Sequence, residues 1–138
     1  MSTPFTWMLD THTVSQLIRQ PGGSVAQRLA LLAPHSVCLS VVVACEMRFG
    51  ARKKGSAVLQ ARVDALLAHI PVLPLDVRVD AHYADIRHTL ACAGTPIGNN
   101  DLFIAAHARA LGLVLVTDNL REFQRVPGLG VENWLGAG

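Results

Sequence analysis

Charge is scarce in this chain: 16% of its residues are Asp, Glu, Lys or Arg, against 51% hydrophobic ones. That balance excludes a disordered or highly charged linker. Long hydrophobic runs are missing as well. No stretch approaches the ~18 consecutive apolar residues of a membrane helix, which predicts a soluble protein with no membrane partner. Met1 to Asp10 holds no basic region, and its apolar run is too short for a secretory signal, so a cytoplasmic location is expected. Cysteine is confined to Cys38, Cys45 and Cys92, an odd number at spacings that match no zinc or thioredoxin motif. Their apolar neighbours predict buried free thiols in a reducing compartment. His88 and Cys92, four apart on an expected helix, lack a third ligand nearby and are read as a chance pairing. Aromatics are few (two Trp, one Tyr and four Phe) and form no evident stacking platform for nucleobases.

What is present is an alternation of short apolar runs and helical periods. The 138 residues are read as one domain spanning 1–138, long enough to bury a substantial core. Phe5 to Leu9 reads as a first strand ending at Asp10, followed by a helix over Thr13 to Gln20. Ser24 is placed as the cap of a second helix through Ala33, with Pro34 as its stop. Val37 to Ser40 reads as a strand, and Ser40 as the cap of a helix from Val41 to about Lys54. Another helix covers Ala57 to Ile70 and runs into a strand over Val72 to Leu75. The longest helix is expected over Val77 to Ala93, on the 3.6-residue stripe Val79, Tyr83, Ile86, Leu90 and Ala93, with Gly94 closing it. Asn99 or Asn100 is placed as the cap of a helix to Leu111, closed by Gly112. Leu113 to Val116 is the clearest strand, a helical turn covers Leu120 to Phe123, and a tail strand lies near Val131. Strands separated by helices predict an α/β fold with right-handed crossovers and a mostly parallel sheet between helical layers.

Against this apolar background four acids stand out. Asp10 follows the first strand directly, and Asp118 lies just beyond Val116-Thr117, where open α/β sheets gather their ligands. Glu46 sits three and four residues from Val42, Val43, Phe49 and Gly50, so it interrupts an apolar or small stripe. Asp101 heads a helix face continued by Ile104, Ala105 and Ala108, although a first-turn carboxylate also suits the helix dipole. Four carboxylates converging on one point would repel unless a cation neutralised them. Oxygen-only ligands select a hard ion, Mg²⁺ or Mn²⁺, and that pairing suits metal-assisted phosphodiester hydrolysis. Asp64, Asp76, Asp80, Asp85 and Glu132 read as ordinary polar positions, and Glu122 as solvent-exposed.

These residues, in this order, resemble the PIN-domain ribonucleases, and in detail the VapC-type toxins of bacterial type II toxin–antitoxin modules. The resemblance runs through Met8-Leu9-Asp10-Thr11, Glu46 with Phe49-Gly50, Gly94 to Asp101 with Ile104 to Ala108, and Val116-Thr117-Asp118-Asn119 on to Leu129. The tail Val131 to Trp134 also fits. It implies a PIN-like three-layer sandwich with a central sheet of about four to five strands. It places the family's catalytic acids on Asp10, Glu46, Asp101 and Asp118, with Asp10 and Asp101 as direct metal ligands. Glu46 would bind metal through water or position the attacking water. Asp118 ranks last, because its family position is variable and often Asn. The implied activity is Mg²⁺-dependent cleavage of RNA (Mn²⁺ can substitute) to 3′-hydroxyl and 5′-phosphate ends, with structured RNA such as tRNA as substrate. The implied partners are a cognate antitoxin and a second copy in a homodimer, with DNA met only indirectly through the antitoxin.

Two departures stand beside the resemblance. His12 occupies the place where the family usually has Asn, and residues 1–7 precede the family's usual start, as a strand extension or an overlong start. A basic rim of Arg48, Arg52, Lys53, Lys54, Arg121 and Arg125 would suit phosphate contacts, or plain solvation. Aspartyl-phosphate chemistry at Asp10 fits poorly: His12 stands where that loop needs a second acid, and the only lysines, Lys53 and Lys54, lie at a helix end. The remaining alternatives are a non-toxin PIN nuclease and a catalytically weak module whose acidic pocket receives a partner's arginine.

Overall fold

The computed structural model describes residues 4–33 and 35–135. Five strands form one all-parallel sheet in the order β3-β2-β1-β4-β5: β1 (Trp7–Leu9), β2 (Val37–Ser40), β3 (Val72–Leu73), β4 (Val114–Val116) and β5 (Val131–Glu132). Helices α1 (Thr11–Arg19), α2 (Ser24–Ala30), α3 (Val41–Lys54), α4 (Ala57–His69), α5 (Val79–Cys92), α6 (Asn99–Leu111) and α7 (Leu120–Phe123) flank it. The chain steps outward from β1 to β2 to β3, then returns across them to β4. Right-handed crossovers therefore put α1 to α4 on one face and α5 with α6 on the other. The expected three-layer α/β sandwich is the fold observed.

Strands this short survive because both faces are covered. Met8, Leu9, Cys38, Leu39, Leu115 and Val116 are all fully buried. The segment ahead of β1 belongs to the same ladder: the Thr6 amide donates to the Ser36 carbonyl at 2.8 Å, and the Thr6 carbonyl accepts from Val114 at 2.9 Å. Residues 4–7 thus lead into the first strand, while residues 1–3 lie outside the described residues.

Several element ends differ from expectation, each for a local reason. α1 starts at Thr11 because the Asp10 carboxylate itself caps it, accepting from the Thr13 amide at 2.9 Å. α2 is capped by Gly23 without a side-chain bond and stops at Ala30, so Ser24 is its first residue and not its cap. The expected stop, Pro34, lies outside the described residues. α5 starts two residues late because Asp76 accepts from the Arg78 amide at 2.9 Å, holding a turn ahead of the helix and leaving Val77 82% exposed. It is 14 residues long, equal to α3 rather than longer. Gly98, not Asn99 or Asn100, caps α6, and Gly112 closes it at φ +69°, a conformation that favours glycine.

The cysteines divide. Cys38 is buried, and burial pushes its thiol up to about 12. Cys45 and Cys92 are exposed on α3 and α5, contrary to expectation, because flanking residues on a helix share no face with the residue between them. His88 Nε2 and Cys92 Sγ stand 3.6 Å apart at the surface. At the β5 edge, Glu132 accepts from the indoles of Trp7 at 3.3 Å and Trp134 at 3.1 Å, while Arg28 stacks 5.3 Å from the Trp134 ring centre.

Candidate active site

The strand order reverses between β1 and β4, and a crevice opens there beyond the carboxyl ends of the strands. Asp10 leaves the end of β1, with its amide donating to the Val116 carbonyl at 3.0 Å, so backbone pairing fixes it beside β4. Asp118 leaves the end of β4 two residues past Val116. Glu46 arrives from α3, which is capped by the last residue of β2, and Asp101 arrives in the first turn of α6. Asp10, Glu46, Asp101 and Asp118 line one cavity of about 480 Å³, together with Thr11, His12, Asn119 and the buried ring of Phe123. No lysine lines it among the described residues, which leaves aspartyl-phosphate chemistry without its cation.

The four carboxyls meet different surroundings. Asp10 is 5% exposed; burial raises it above the usual carboxylate range, opposed by hydrogen bonds from Thr117 and Thr13. Glu46 is half-buried and accepts a 2.5 Å bond from the Thr11 hydroxyl. Its stripe is not continuous: Val42 and Val43 are buried, but Phe49 is 67% exposed. The acid therefore stands at the boundary of the core rather than inside it. Asp118 is exposed, with its Oδ2 3.4 Å from His12 Nδ1, so the residue in the family's Asn place reaches across the cavity mouth.

Asp101 is the most perturbed of the four, pushed up to about 7. Burial is the largest cause, followed by a hydrogen bond shared with Glu122 and then the charges of Glu122, Glu46 and Asp10. Glu122 is therefore a fifth carboxyl at this site, although the sequence reads it as solvated. It is half-buried and accepts from the Asn119 side chain at 2.5 Å. The available signal was Phe123. A four-residue helix anchored by one inward aromatic places the preceding residue about 100° from that anchor, at the rim rather than in solvent.

An oxygen-only donor set of this kind fits a hard divalent ion. Among the described residues no three His, Cys, Asp or Glu side chains form a ready-made ligand cage. Carboxylates so placed would bind a divalent ion through one or two side chains, with waters in the remaining positions. The raised Asp101 carboxyl agrees with this: an acid that is buried first of all, and has other acids beside it, takes up a proton when no cation balances it.

An open parallel sheet with carboxylates gathered at its switch point is the arrangement of the PIN domain, and the PIN-domain family profile matches residues 7–129. The chain belongs to that family, whose nucleases are metal-dependent. Within it the chain is similar to the tRNA(fMet)-specific endonuclease VapC of Salmonella typhimurium, 37% identical over 129 residues that cover 93% of this chain and 97% of that protein. The crystal structure of VapBC2 from Rickettsia felis, bound to a DNA fragment from their promoter, superposes with a TM-score of 0.88 at 34% identity. It covers 94% of this chain and 98% of that one. VapBC-5 from Mycobacterium tuberculosis, a member of the VapBC family of toxin–antitoxin systems, matches with a TM-score of 0.67 at 26% identity over 94% of this chain and 97% of that one. The chain is a homologue of ribonuclease toxins.

Proposed function

We propose that this protein is a Mg²⁺-dependent endoribonuclease toxin. It acts in the cytoplasm as a homodimer and is neutralised by a cognate antitoxin through which alone it meets DNA. Its substrate class is structured RNA such as tRNA, cut to 3′-hydroxyl and 5′-phosphate ends. The whole chain, 1–138, acts as one domain. The observation that carries this reading is the convergence of Asp10, Glu46, Asp101 and Asp118 on one cavity at the switch point.

Asp10 and Asp101 are the direct metal ligands: both are held by backbone or helix geometry, and both are raised by burial in a way that a cation would reverse. A Mg²⁺ held by these residues would supply Lewis-acid activation of a water and charge stabilisation at the leaving oxygen. Glu46, fixed by Thr11, is placed to orient the attacking water. Asp118, engaged by His12, contributes least, and Glu122 supports Asp101 from behind. The test incubates the purified chain with total RNA and Mg²⁺ or EDTA. Asp10→Asn and Asp101→Asn should each lose roughly 100-fold or more of the cleavage rate, and Glu122→Gln more than Asp118→Asn. Cleavage that persists in EDTA, or that survives both ligand substitutions, sinks the mechanism.

A further inference from the structure

Outside the acidic cavity the charges are sorted. Asp64, Asp76, Asp85 and Glu132 each pair with an arginine: Arg48, Arg78, Arg109 and Arg28 respectively. Of the twelve Lys and Arg residues, eight are left without a carboxylate partner among the described residues. Two of those eight, Arg19 and Lys54, lie in one groove. It has a volume of about 330 Å³, runs between α1, α3 and α4, and shares Thr11, His12 and Glu46 with the acidic cavity.

The groove has a regular construction. Thr11, Ser15 and Arg19 descend one face of α1 at four-residue steps, and Glu46, Gly50 and Lys54 descend α3 at the same steps. The Thr11–Glu46 hydrogen bond ties the two helices together at the top. Eight residues at 1.5 Å each put both cations about 12 Å down their helices from the carboxylate end. At mid-groove stands Gly50, where an added β-carbon would meet no atom within 4 Å.

We infer that this groove is the track of the RNA strand adjoining the scissile bond, with Arg19 and Lys54 contacting its flanking phosphates. The inference rests on the ribonuclease reading and extends it to how substrate is held. A chain drawn into an acidic centre needs its other phosphates neutralised nearby, and this groove is continuous with that centre through Thr11, His12 and Glu46 and carries two cations that pair with no carboxylate among the described residues. The apolar floor, with Ile18, Met47 and Val63, offers contact to base faces without reading base edges. Phosphate contacts of this kind add affinity and leave the chemical step alone.

The test uses the full-length protein and bulk tRNA as the probe, with cleavage kinetics and a salt titration of binding. Binding is measured in an Asp101→Asn background. Arg19→Gln combined with Lys54→Gln should raise KM on the order of tenfold. Its kcat should stay within about twofold of wild type. The slope of log affinity against log salt should fall by roughly 1.4, at ~0.7 per single-strand contact. Gly50→Leu, which fills the groove without removing charge, should raise KM comparably, and Gly50→Ala less. Arg62→Gln with Arg87→Gln removes the same charge outside the groove and serves as the control. Thermal melts confirm that each variant is folded. A wild-type KM and slope in the groove variants, or losses equal to the control's, overturns the inference. Groove variants that cut tRNA normally but escape the antitoxin make the groove a protein site, which overturns it too. Failure of the wild-type chain to cut any RNA is a separate result and counts against the ribonuclease reading itself.

Discussion

At the residue scale the protein's chemistry is set by carboxyls kept from their ordinary protonation. Asp101 moves from 3.8 to about 7, so its protonated form stabilises the fold fully below the ordinary value, and that contribution is lost as pH rises through 7. Burial holds His107 below its ordinary 6.5, so it works in the opposite sense and loses stability as pH falls past that value. Between pH 6.5 and 8 the raised Asp101 carboxyl, hydrogen-bonded to Glu122, is the acid whose titration should show. There the metal-free chain should melt at a lower temperature as pH rises, Asp101→Asn should flatten the slope, and added Mg²⁺ should raise the melting point more at pH 8 than at 6.5. Differential scanning fluorimetry in EDTA and in Mg²⁺ measures this; a metal effect that grows toward acid pH contradicts it. How much was legible here depended on position. Asp10, Asp101 and Asp118 betray themselves by lying at strand ends or on a helix start, where the sequence pattern is sharp. Glu122 does not, because its place depends on how a four-residue helix rolls, and only the burial of Phe123 decides that.

At the scale of elements, α3 and α6 carry the acids to the centre, and a buried contact holds the two helices in step. His107 on α6 meets the Ser40 hydroxyl at 2.8 Å, and that hydroxyl accepts from the Val42 amide at 3.2 Å as the cap of α3. One serine thus starts the helix bearing Glu46 and anchors the helix bearing Asp101. Ser40→Ala should destabilise the fold by about 2–4 kcal/mol, adding a lost cap to an unsatisfied buried imidazole. Urea unfolding checks it, and a loss below about 0.5 kcal/mol would contradict the paired role. The cap was readable from Ser40 followed by an apolar run, and so was the helix it starts. The His107 contact was not, because the two residues lie 67 positions apart and no periodicity links them. The element ends missed by one to three residues, at α1, α2 and α5, turn on side chains such as Asp10 and Asp76 that bond back to the chain locally.

At the scale of the whole molecule, a net charge of +2 conceals a division of labour. Half of the ten acids, counting Glu122, gather at the switch point, and four of the other five are matched by arginines. What faces outward is therefore more cationic than the total suggests, which suits a polyanionic substrate. The same separation has a spectroscopic side. Both tryptophans, Trp7 and Trp134, sit edge to face at 5.6 Å in the corner sealed by Glu132, and neither lines the acidic cavity. Intrinsic fluorescence is thus a reporter on the corner formed by Trp7, Glu132 and Trp134 and deaf to the acidic cavity. Titrating Mg²⁺ into the folded chain should leave the emission maximum still, whereas Glu132→Gln should shift it. A metal-dependent shift in emission would mean that the two corners of the sheet communicate.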